Sequence, residues 1–186
     1  MSEFQSYNGP IIDVWANWWD NNFFKQYPRL KDLYEKLGIE GRMKLSSEKL
    51  VQEAKKAKIT KIILSATVCD EAQVTNAKVY ETAKKASDLI SPCASVDPRN
   101  GMEAIRQLRY AVNDLGCIAV KFLPFLYGLP PNHASFFPLY AECVELNVPA
   151  LILTGHTAVN LSNETGRPGS LDDIALYFPE LVIVAG

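Results

Sequence analysis

The chain is organised around the stretch Ile11–Trp19, which reads IIDVWANWW. Pro10 precedes this stretch and cannot continue a helix from upstream, because proline has no backbone N–H. The β-branched start, bounded by a turn-forming Asn-Gly-Pro sequence, predicts a short buried strand. All three tryptophans of the protein lie within Trp15–Trp19, on either side of Asn17. These rings either fill the core or form the wall of a pocket, since a buried indole N–H needs a hydrogen-bond partner.

Further apolar segments follow along the chain, separated by segments with the periodicity of a helix. The apolar segments are predicted to be strands, and they lie at residues 60–65, 89–96, 117–122, 148–153 and 181–184. The helices are predicted at 29–37, from Ser46 or Ser47 onward, at 71–88, at 101–115, from 137 onward and from Ser170 onward. The strands are continuously apolar rather than alternating, which is typical of a parallel sheet covered by helices.

Two architectures fit this α/β pattern: an open doubly wound sheet and a (β/α)8 TIM barrel. No strand is followed by a glycine-rich phosphate-binding motif, which removes the strongest support for a nucleotide-binding open sheet. The long connections all follow strands, at residues 15–45, 123–135 and 154–169, whereas the connections that precede strands are short. This asymmetry favours the barrel, whose site is built by loops at the carboxyl ends of the strands. The prolines and glycine of 123–135 predict no regular element there.

The composition is that of an ordinary globular domain. The chain has 186 residues, of which 48% are hydrophobic, and its net charge is −2. This balance provides no basic surface for nucleic acid or for a membrane, and no apolar run reaches the roughly 20 residues that span a bilayer. The N-terminal segment is polar and lacks the apolar core of a signal peptide, so we expect a cytoplasmic protein. The four cysteines are far apart, and we expect buried free thiols.

Several motifs in the second half of the chain carry a family resemblance. They are Ala119–Pro124 (AVKFLP), Pro138–Tyr140 (PLY), Val148–Gly155 (VPALILTG), Gly166–Pro168 (GRP), Leu171–Ala175 (LDDIA) and Phe178–Val184 (FPELVIV). From Cys117 to the end, the sequence resembles the amidohydrolase-related metal-dependent TIM-barrel hydrolases and decarboxylases, which include the aminocarboxymuconate-semialdehyde decarboxylase-like enzymes. The resemblance extends loosely over the rest of the chain. It implies a TIM barrel that hydrolyses, or removes a carboxylate from, a small carbonyl-bearing organic acid.

The resemblance also implies zinc or another divalent metal, but the sequence departs from the family at the metal ligands. Relatives carry a His-x-His pair at the end of the first strand, and the matching positions here are Trp15 and Asn17. An indole nitrogen is only a donor and cannot bind a metal. The fifth-strand histidine of many relatives matches Leu153, and the two histidines present, His133 and His156, form no pair. We therefore assign no metal ligand and expect a site without the usual zinc pair.

The family's barrel has eight strands, and this sequence predicts about six. We expect residues 1–186 to form a single amidohydrolase-like barrel domain that is truncated at the C-terminus. Its first and sixth strands would be unpaired edges, which invite association. The sequence leaves open a fragment of a longer polypeptide, completion of the barrel by another chain, a homo-oligomer, and a shortened open form.

Three side chains are candidates for catalysis: Lys121, His156 and Asn17. Lys121 lies near the carboxyl end of an apolar strand, where a desolvated lysine binds a carboxylate or acts as a base. The alternative is a lysine that extends to solvent from the strand end. His156, in a Thr-Gly-His-Thr turn, is either a general acid or base or a turn histidine bonded to the backbone. Asn17 either contacts the substrate or packs with its amide satisfied.

Two further side chains are candidates for substrate binding. Trp15 either forms an aromatic wall of the pocket or packs in the core. Arg167 either clamps a substrate carboxylate through two hydrogen bonds or forms a structural ion pair. Asp13 is assigned a structural role, holding a neighbouring backbone or indole N–H, and His133 is expected to be exposed.

These observations lead to two functional hypotheses, and the missing strands add the possibility of a fragment with no independent function. The first is an enzyme for a small-molecule substrate that works without the usual zinc pair, with Lys121, His156 and Asn17 in its pocket. The second is a catalytically inactive barrel that binds a ligand or a partner protein, suggested by the bulky Trp15 at a metal-ligand position. No organic cofactor is indicated by the sequence.

Overall fold

A computed structural model describes residues 9–17, 21–38, 46–69, 73–156 and 161–186, with the backbone alone described for 21–23 and 29–30. The strands in these ranges are β1 (Ile12–Asn17), β2 (Lys61–Ser65), β3 (Thr67–Val68), β4 (Gln73–Val74), β5 (Ile90–Cys93), β6 (Val120–Phe122), β7 (Ala150–Ile152) and β8 (Ile183–Ala185). Each of the six segments predicted as a strand overlaps one of them, and β1 and β8 extend past the predicted ends. The strands β3 and β4 were not predicted.

The six longer strands form one parallel sheet in chain order. β2 pairs with β1 and with β5, and β7 pairs with β6 and with β8, all in parallel. Ala94 joins the two halves, because its N–H donates to the carbonyl of Ala119 and its carbonyl accepts the N–H of Lys121, both at 2.8 Å. The short antiparallel ribbon of β3 and β4 follows β2. The prediction of a parallel sheet is confirmed.

This sheet curves far enough for its last strand to approach its first. A Cβ atom added to Gly186, directly after β8, would lie 2.5 Å from the ring of Trp15 in β1. From β6, the side chain of Lys121 crosses the interior and hydrogen-bonds Asn17 at the end of β1. The strands therefore form an open barrel, as the lengths of the connections predicted.

Alternate residues along each strand face the barrel interior and the surrounding helices. A small interior cluster takes one side chain from or beside each of the six strands: Trp15, Ile63, Cys93, Ala119, Leu151 and Val184. The residues between them belong to a larger core, in which Leu64, Val120 and Ile152 are each fully buried. The barrel thus has an inner core of its own, separate from the core beneath the helices.

The helices that the structure describes are α1 (Asn21–Gln26), α2 (Pro28–Lys36), α3 (Ser47–Lys56), α4 (Asn76–Lys84), α5 (Met102–Asn113), α6 (Pro124–Tyr127), α7 (Phe137–Glu145) and α8 (Ser170–Tyr177). Short 3₁₀ turns lie at Pro98–Asn100, Ala134–Phe136 and Asn163–Gly166. The hydroxyl of Ser46 caps α3 by accepting the N–H of Lys49. This contact decides between the two serines considered as caps.

The helix predicted at 71–88 is wrong at both ends. The hydroxyl of Thr75 accepts the N–H of Lys78 and so starts α4 at Asn76. Before that cap, Gln73–Val74 pairs with Thr67–Val68 in the short ribbon, and α4 ends at Lys84. The apolar periodicity does not show at which residue a helix is capped, so the predicted helix is too long at both ends.

The prediction of no regular element in 123–135 is also wrong. The segment contains α6, which begins at Pro124, and the start of the 3₁₀ turn Ala134–Phe136. A proline is tolerated in the first helical turn because the N–H that it lacks would have no partner there. Gly128 then ends α6 with φ = 65°, a conformation that glycine adopts without steric cost.

All four cysteines are buried and free, as predicted. Among the helices of the described segments, none has both the length and the apolar character needed to cross a bilayer.

Candidate active site

The candidate site lies at the carboxyl ends of the strands, inside the barrel. Asn17, Ser65 and Cys93 are paired across β1, β2 and β5, so their side chains point to the same side of the sheet. Cys93 belongs to the interior cluster, which places this row of three side chains in the interior. Polar groups thus form a layer above the apolar ring that contains Trp15.

Lys121 lies in the middle of β6, between two residues of the outer core, and therefore points inward. Its side chain is fully buried, with 0% of its surface exposed. Its ammonium donates a hydrogen bond of 2.6 Å to the side-chain oxygen of Asn17. The structure thus brings together two of the three predicted catalytic residues. The alternative of a lysine that extends to solvent is wrong, because β6 is sealed between neighbouring strands.

The electrostatics of Lys121 are unusual for a lysine. Burial lowers its pKa to about 8, and the neighbouring Cys93 opposes the shift. Burial also raises the pKa of the Cys93 thiol to about 11, so that the thiol is neutral at pH 7. Within the described ranges, no carboxylate forms an ion pair with Lys121, and a neutral amide oxygen is its hydrogen-bond acceptor. Among the residues that the structure describes, Lys121 is therefore a buried amine with a lowered pKa and no carboxylate beside it.

Ser65 and Cys93 are members of this site that sequence reasoning missed. The Ser65 hydroxyl is fully buried and makes no hydrogen bond of ordinary geometry with any residue that the structure describes. It lies close enough to Cys93 to favour the thiolate of that residue. The available signal was a small polar residue at the carboxyl end of an otherwise apolar strand. A buried hydroxyl without a partner is costly, so an unused hydrogen-bonding group in the interior needs a reason.

Trp15 forms one wall of the interior. Its ring is half-buried in the interior cluster and faces Gly186 beyond β8. The carboxylate of Asp13 accepts the backbone N–H of Trp15 at 3.0 Å, which is the structural role predicted for that aspartate. Trp15 therefore packs against the interior and also borders the layer of Asn17 and Lys121.

His156 and Arg167 lie on two connected turns. The N–H of Gly155 donates to the carbonyl of Gly166 at 2.7 Å, which holds the loop after β7 against the 3₁₀ turn before α8. His156 is exposed and makes no hydrogen bond or ion pair with the residues that are described. Arg167 is exposed and forms an ion pair of 2.7 Å with Glu164, the alternative role considered for it. Neither side chain contacts Lys121, and their roles in the site stay predictions.

The family resemblance implies a metal, and the described side chains do not supply the ligands that it needs. Within the described ranges, no group of three or more histidine, cysteine, aspartate or glutamate side chains could hold a metal ion. Trp15 and Asn17 stand at the first-strand positions, and the ammonium of Lys121 is bonded to Asn17. An indole ring cannot be a ligand of a cation, and a nearby ammonium repels one. These residues do not fit the family's metal site.

His133 is exposed and holds a 3₁₀ turn through its ring nitrogen.

A parallel barrel with its polar layer at the carboxyl ends of the strands defines a protein of the TIM-barrel class. The family model for amidohydrolases matches residues 12–186, and the chain belongs to this family. No curated protein sequence matches the chain.

Solved structures show the same fold. An uncharacterised TIM-barrel protein from Bordetella bronchiseptica is 23% identical, with a TM-score of 0.74 over 95% of this chain and 66% of that chain. A 5-carboxyvanillate decarboxylase from Novosphingobium aromaticivorans, complexed with manganese and 4-hydroxy-3-methoxy-5-nitrobenzoic acid, is 15% identical, with a TM-score of 0.75 over 96% and 65%. A 4-oxalomesaconate hydratase from Rhodopseudomonas palustris is 17% identical, with a TM-score of 0.62 over 94% and 62%.

The chain spans 62–66% of the length of these three structures. At these identities the likeness establishes the fold, which is an incomplete TIM barrel. The prediction of an amidohydrolase-related TIM barrel, made from the motifs after Cys117, is confirmed by the family match.

Proposed function

We propose that this protein hydrolyses, or removes a carboxylate from, a small carbonyl-bearing organic acid, without the usual zinc pair of its family. The observation that carries the proposal is Lys121, a fully buried amine without a carboxylate partner among the described residues. Such a group attracts the carboxylate of an incoming acid, because the acid supplies a counter-charge that none of the described residues supplies.

The chemistry of Lys121 suits proton transfer. A pKa of about 8 means that the amine gives up and regains a proton near neutral pH. Asn17 holds the ammonium at 2.6 Å and is itself exposed, so a substrate that displaces it would reach Lys121. Trp15 offers a flat apolar wall for the body of the substrate. In this proposal Lys121 and Asn17 are catalytic, and Trp15 binds the substrate.

In the proposal His156 is the third catalytic residue, and Arg167 is a second residue that binds the substrate. Their turns are joined by the bond between Gly155 and Gly166, so they form one rim of the barrel mouth. A histidine there supplies a second acid or base. Arg167 would bind a distal carboxylate after release from Glu164, and both members of that ion pair are well exposed.

The known relatives support the reaction class. One structure with this fold is a decarboxylase of a hydroxylated aromatic acid and another is a hydratase of an organic acid. The chain spans about two thirds of the length of these structures. The proposal concerns the part of the site that residues 9–17, 46–69, 73–156 and 161–186 contribute.

The test is a turnover assay with small keto acids, hydroxybenzoates, lactones and amides, following CO2 release and hydrolysis. We expect Lys121→Ala and His156→Ala each to abolish turnover while the fold is kept. Lys61→Ala removes an exposed lysine of β2, and His133→Ala removes the other histidine, so both are matched controls that keep activity. Full activity in both Lys121→Ala and His156→Ala would overturn the residue assignments.

Metal analysis of the same samples tests the remaining part of the proposal. Stoichiometric zinc or manganese that is needed for turnover would contradict a site without the usual zinc pair. The second hypothesis, a catalytically inactive barrel, would be supported if no compound is turned over while a carboxylic acid raises the melting temperature. Turnover of any one compound would refute it.

A further inference from the structure

We propose that Lys121 forms a covalent imine with a carbonyl substrate, and that this substrate is a β-keto acid. In a β-keto acid the ketone carbon is bonded directly to the α-carbon that bears the carboxylate. This inference rests on the proposed function and deepens it by naming the substrate class and the atom that reacts. The reacting atom is the side-chain nitrogen Nζ.

The surroundings of Lys121 are those of a nucleophilic amine. The side chain is fully buried, and the interior below it is lined by Ala119, Leu151 and Trp15. Its hydrogen-bond acceptor is the neutral amide of Asn17 rather than a carboxylate. A carboxylate would hold the amine as an ammonium, which has no lone pair for attack. Desolvation among apolar groups is a general way to activate a lysine as a nucleophile.

The competing nucleophile in the interior is the Cys93 thiol. Burial keeps this thiol protonated at neutral pH, whereas a substantial fraction of Lys121 is neutral near pH 8. A protonated thiol is a weak nucleophile, because the thiolate is the reactive form. The amine is therefore the more reactive of the two groups toward a carbonyl carbon.

The reaction balances with water alone as co-reactant. The lone pair of Nζ attacks the ketone carbon, the carbonyl oxygen takes up a proton, and the resulting carbinolamine loses water to give a protonated imine. The bond between the α-carbon and the carboxylate then breaks, CO2 leaves, and the electron pair moves to the imine nitrogen as an enamine. The α-carbon takes up a proton, water adds to the imine, and the ketone leaves with the amine restored.

The hydroxyl of Ser65 is placed to assist one step of this reaction. This hydroxyl is buried in the row that contains Asn17, next to the Cys93 thiol, and makes no hydrogen bond of ordinary geometry with the described residues. A hydroxyl both donates and accepts, which is what the carbinolamine oxygen needs while it is protonated and leaves as water. Ser65 is thus assigned as a positioning residue for this step.

Borohydride trapping tests the inference directly. The purified protein is incubated with acetoacetate, reduced with sodium borohydride, and analysed by intact and peptide mass spectrometry. We expect one adduct per chain, dependent on acetoacetate, on the peptide that contains Lys121. The adduct should be lost in Lys121→Arg and kept in Lys61→Arg, which changes an exposed lysine. Ser65→Ala should slow adduct formation without changing the modified residue.

A second variant covers the case in which Lys121→Arg does not fold. Asn17→Asp keeps Lys121 but places a carboxylate against its ammonium, so trapping should fall at pH 7 and recover at higher pH. Adducts distributed over exposed lysines, or the absence of an adduct at Lys121, would overturn the imine. Turnover of β-keto acids without trapping would overturn the imine and leave the proposed function standing. An adduct at Lys121 without turnover of any acid would support the imine and refute the proposed decarboxylation.

Discussion

The ammonium of Lys121 donates a 2.6 Å hydrogen bond to the side-chain oxygen of Asn17, a residue 104 positions earlier in the chain. The contact runs across the barrel interior from the fourth barrel strand to the first. Its acceptor is neutral, so the bond orients the amine without supplying the negative charge that would compensate its burial. A charge in this position lowers the free energy of unfolding, so removing the charge of Lys121 should change the measured stability.

Replacing Lys121 with methionine should stabilise the protein at pH 7. The folded pKa of about 8 lies below the ordinary lysine value of 10.5, so the cost is present in full below pH 8 and disappears as the pH rises to 10.5. Since one pKa unit corresponds to about 1.4 kcal/mol, Lys121→Met should gain at most about 3.5 kcal/mol. Urea unfolding at pH 7 and pH 10 measures the difference between variant and parent, which should shrink with pH. A pH-independent difference would contradict this account, and Lys61→Met is the exposed control.

Replacing Asn17 with aspartate should raise the pKa of Lys121. A carboxylate within hydrogen-bond distance favours the ammonium, and such pairs shift pKa values by about 1 to 3 units. NMR titration of isotopically labelled lysine side chains would follow the change. Asn100→Asp changes an exposed residue at the end of a 3₁₀ turn and should leave the pKa of Lys121 unchanged. An unchanged pKa in Asn17→Asp would show that the hydrogen bond to Asn17 is absent in solution.

Gly166 should not tolerate a side chain. A Cβ atom there would collide with the carbonyl oxygen of Gly155, whose N–H is bonded to Gly166. Gly166→Ala should therefore lower the free energy of unfolding by about 1–3 kcal/mol. Gly169→Ala is the matched control, because a Cβ atom at Gly169 meets open space. Chemical denaturation of both variants measures the difference, and equal stabilities would contradict the close approach of the two turns.

The buried thiols should be unreactive in the native protein. Burial raises the pKa of Cys93 to about 11 and that of Cys117 and Cys143 to about 12. At pH 8 we expect a thiol reagent to modify the native protein slowly and to modify all four cysteines in denaturant. These raised pKa values also predict that stability falls above pH 9, where the unfolded thiols ionise first. Rapid reaction of the native protein would refute the burial of these residues.

The predicted strands show what periodicity can supply. Segments such as 60–65 and 148–153 were placed correctly, because a run of β-branched and aliphatic residues between two helices is typical of a buried strand. Their ends were predicted too long, since hydrogen bonding stops where the neighbouring strand stops. The ribbon of β3 and β4 was missed because each strand has two residues, too few for any periodicity.

The candidate site was predicted in part. Lys121 and Asn17 were singled out because each stands at the end of an apolar strand, the position where a barrel places its functional residues. Ser65 and Cys93 occupy equivalent positions on their strands, but serine and cysteine are common in cores and drew no attention. His156 and Arg167 lie in loops, and sequence spacing does not determine how loop residues approach a site.

The sequence by itself determined the parallel barrel, the family and the loss of the His-x-His pair, because these depend on residue type and on periodicity along the chain. The tertiary structure alone decided that Lys121 is sealed from solvent and bonded to the neutral amide of Asn17, and that Ser65 faces the same interior beside Cys93. The physical reason is that burial and the choice of hydrogen-bond acceptor depend on groups brought together from distant parts of the chain. Those two properties set the pKa of Lys121, and with it the chemistry proposed for this site.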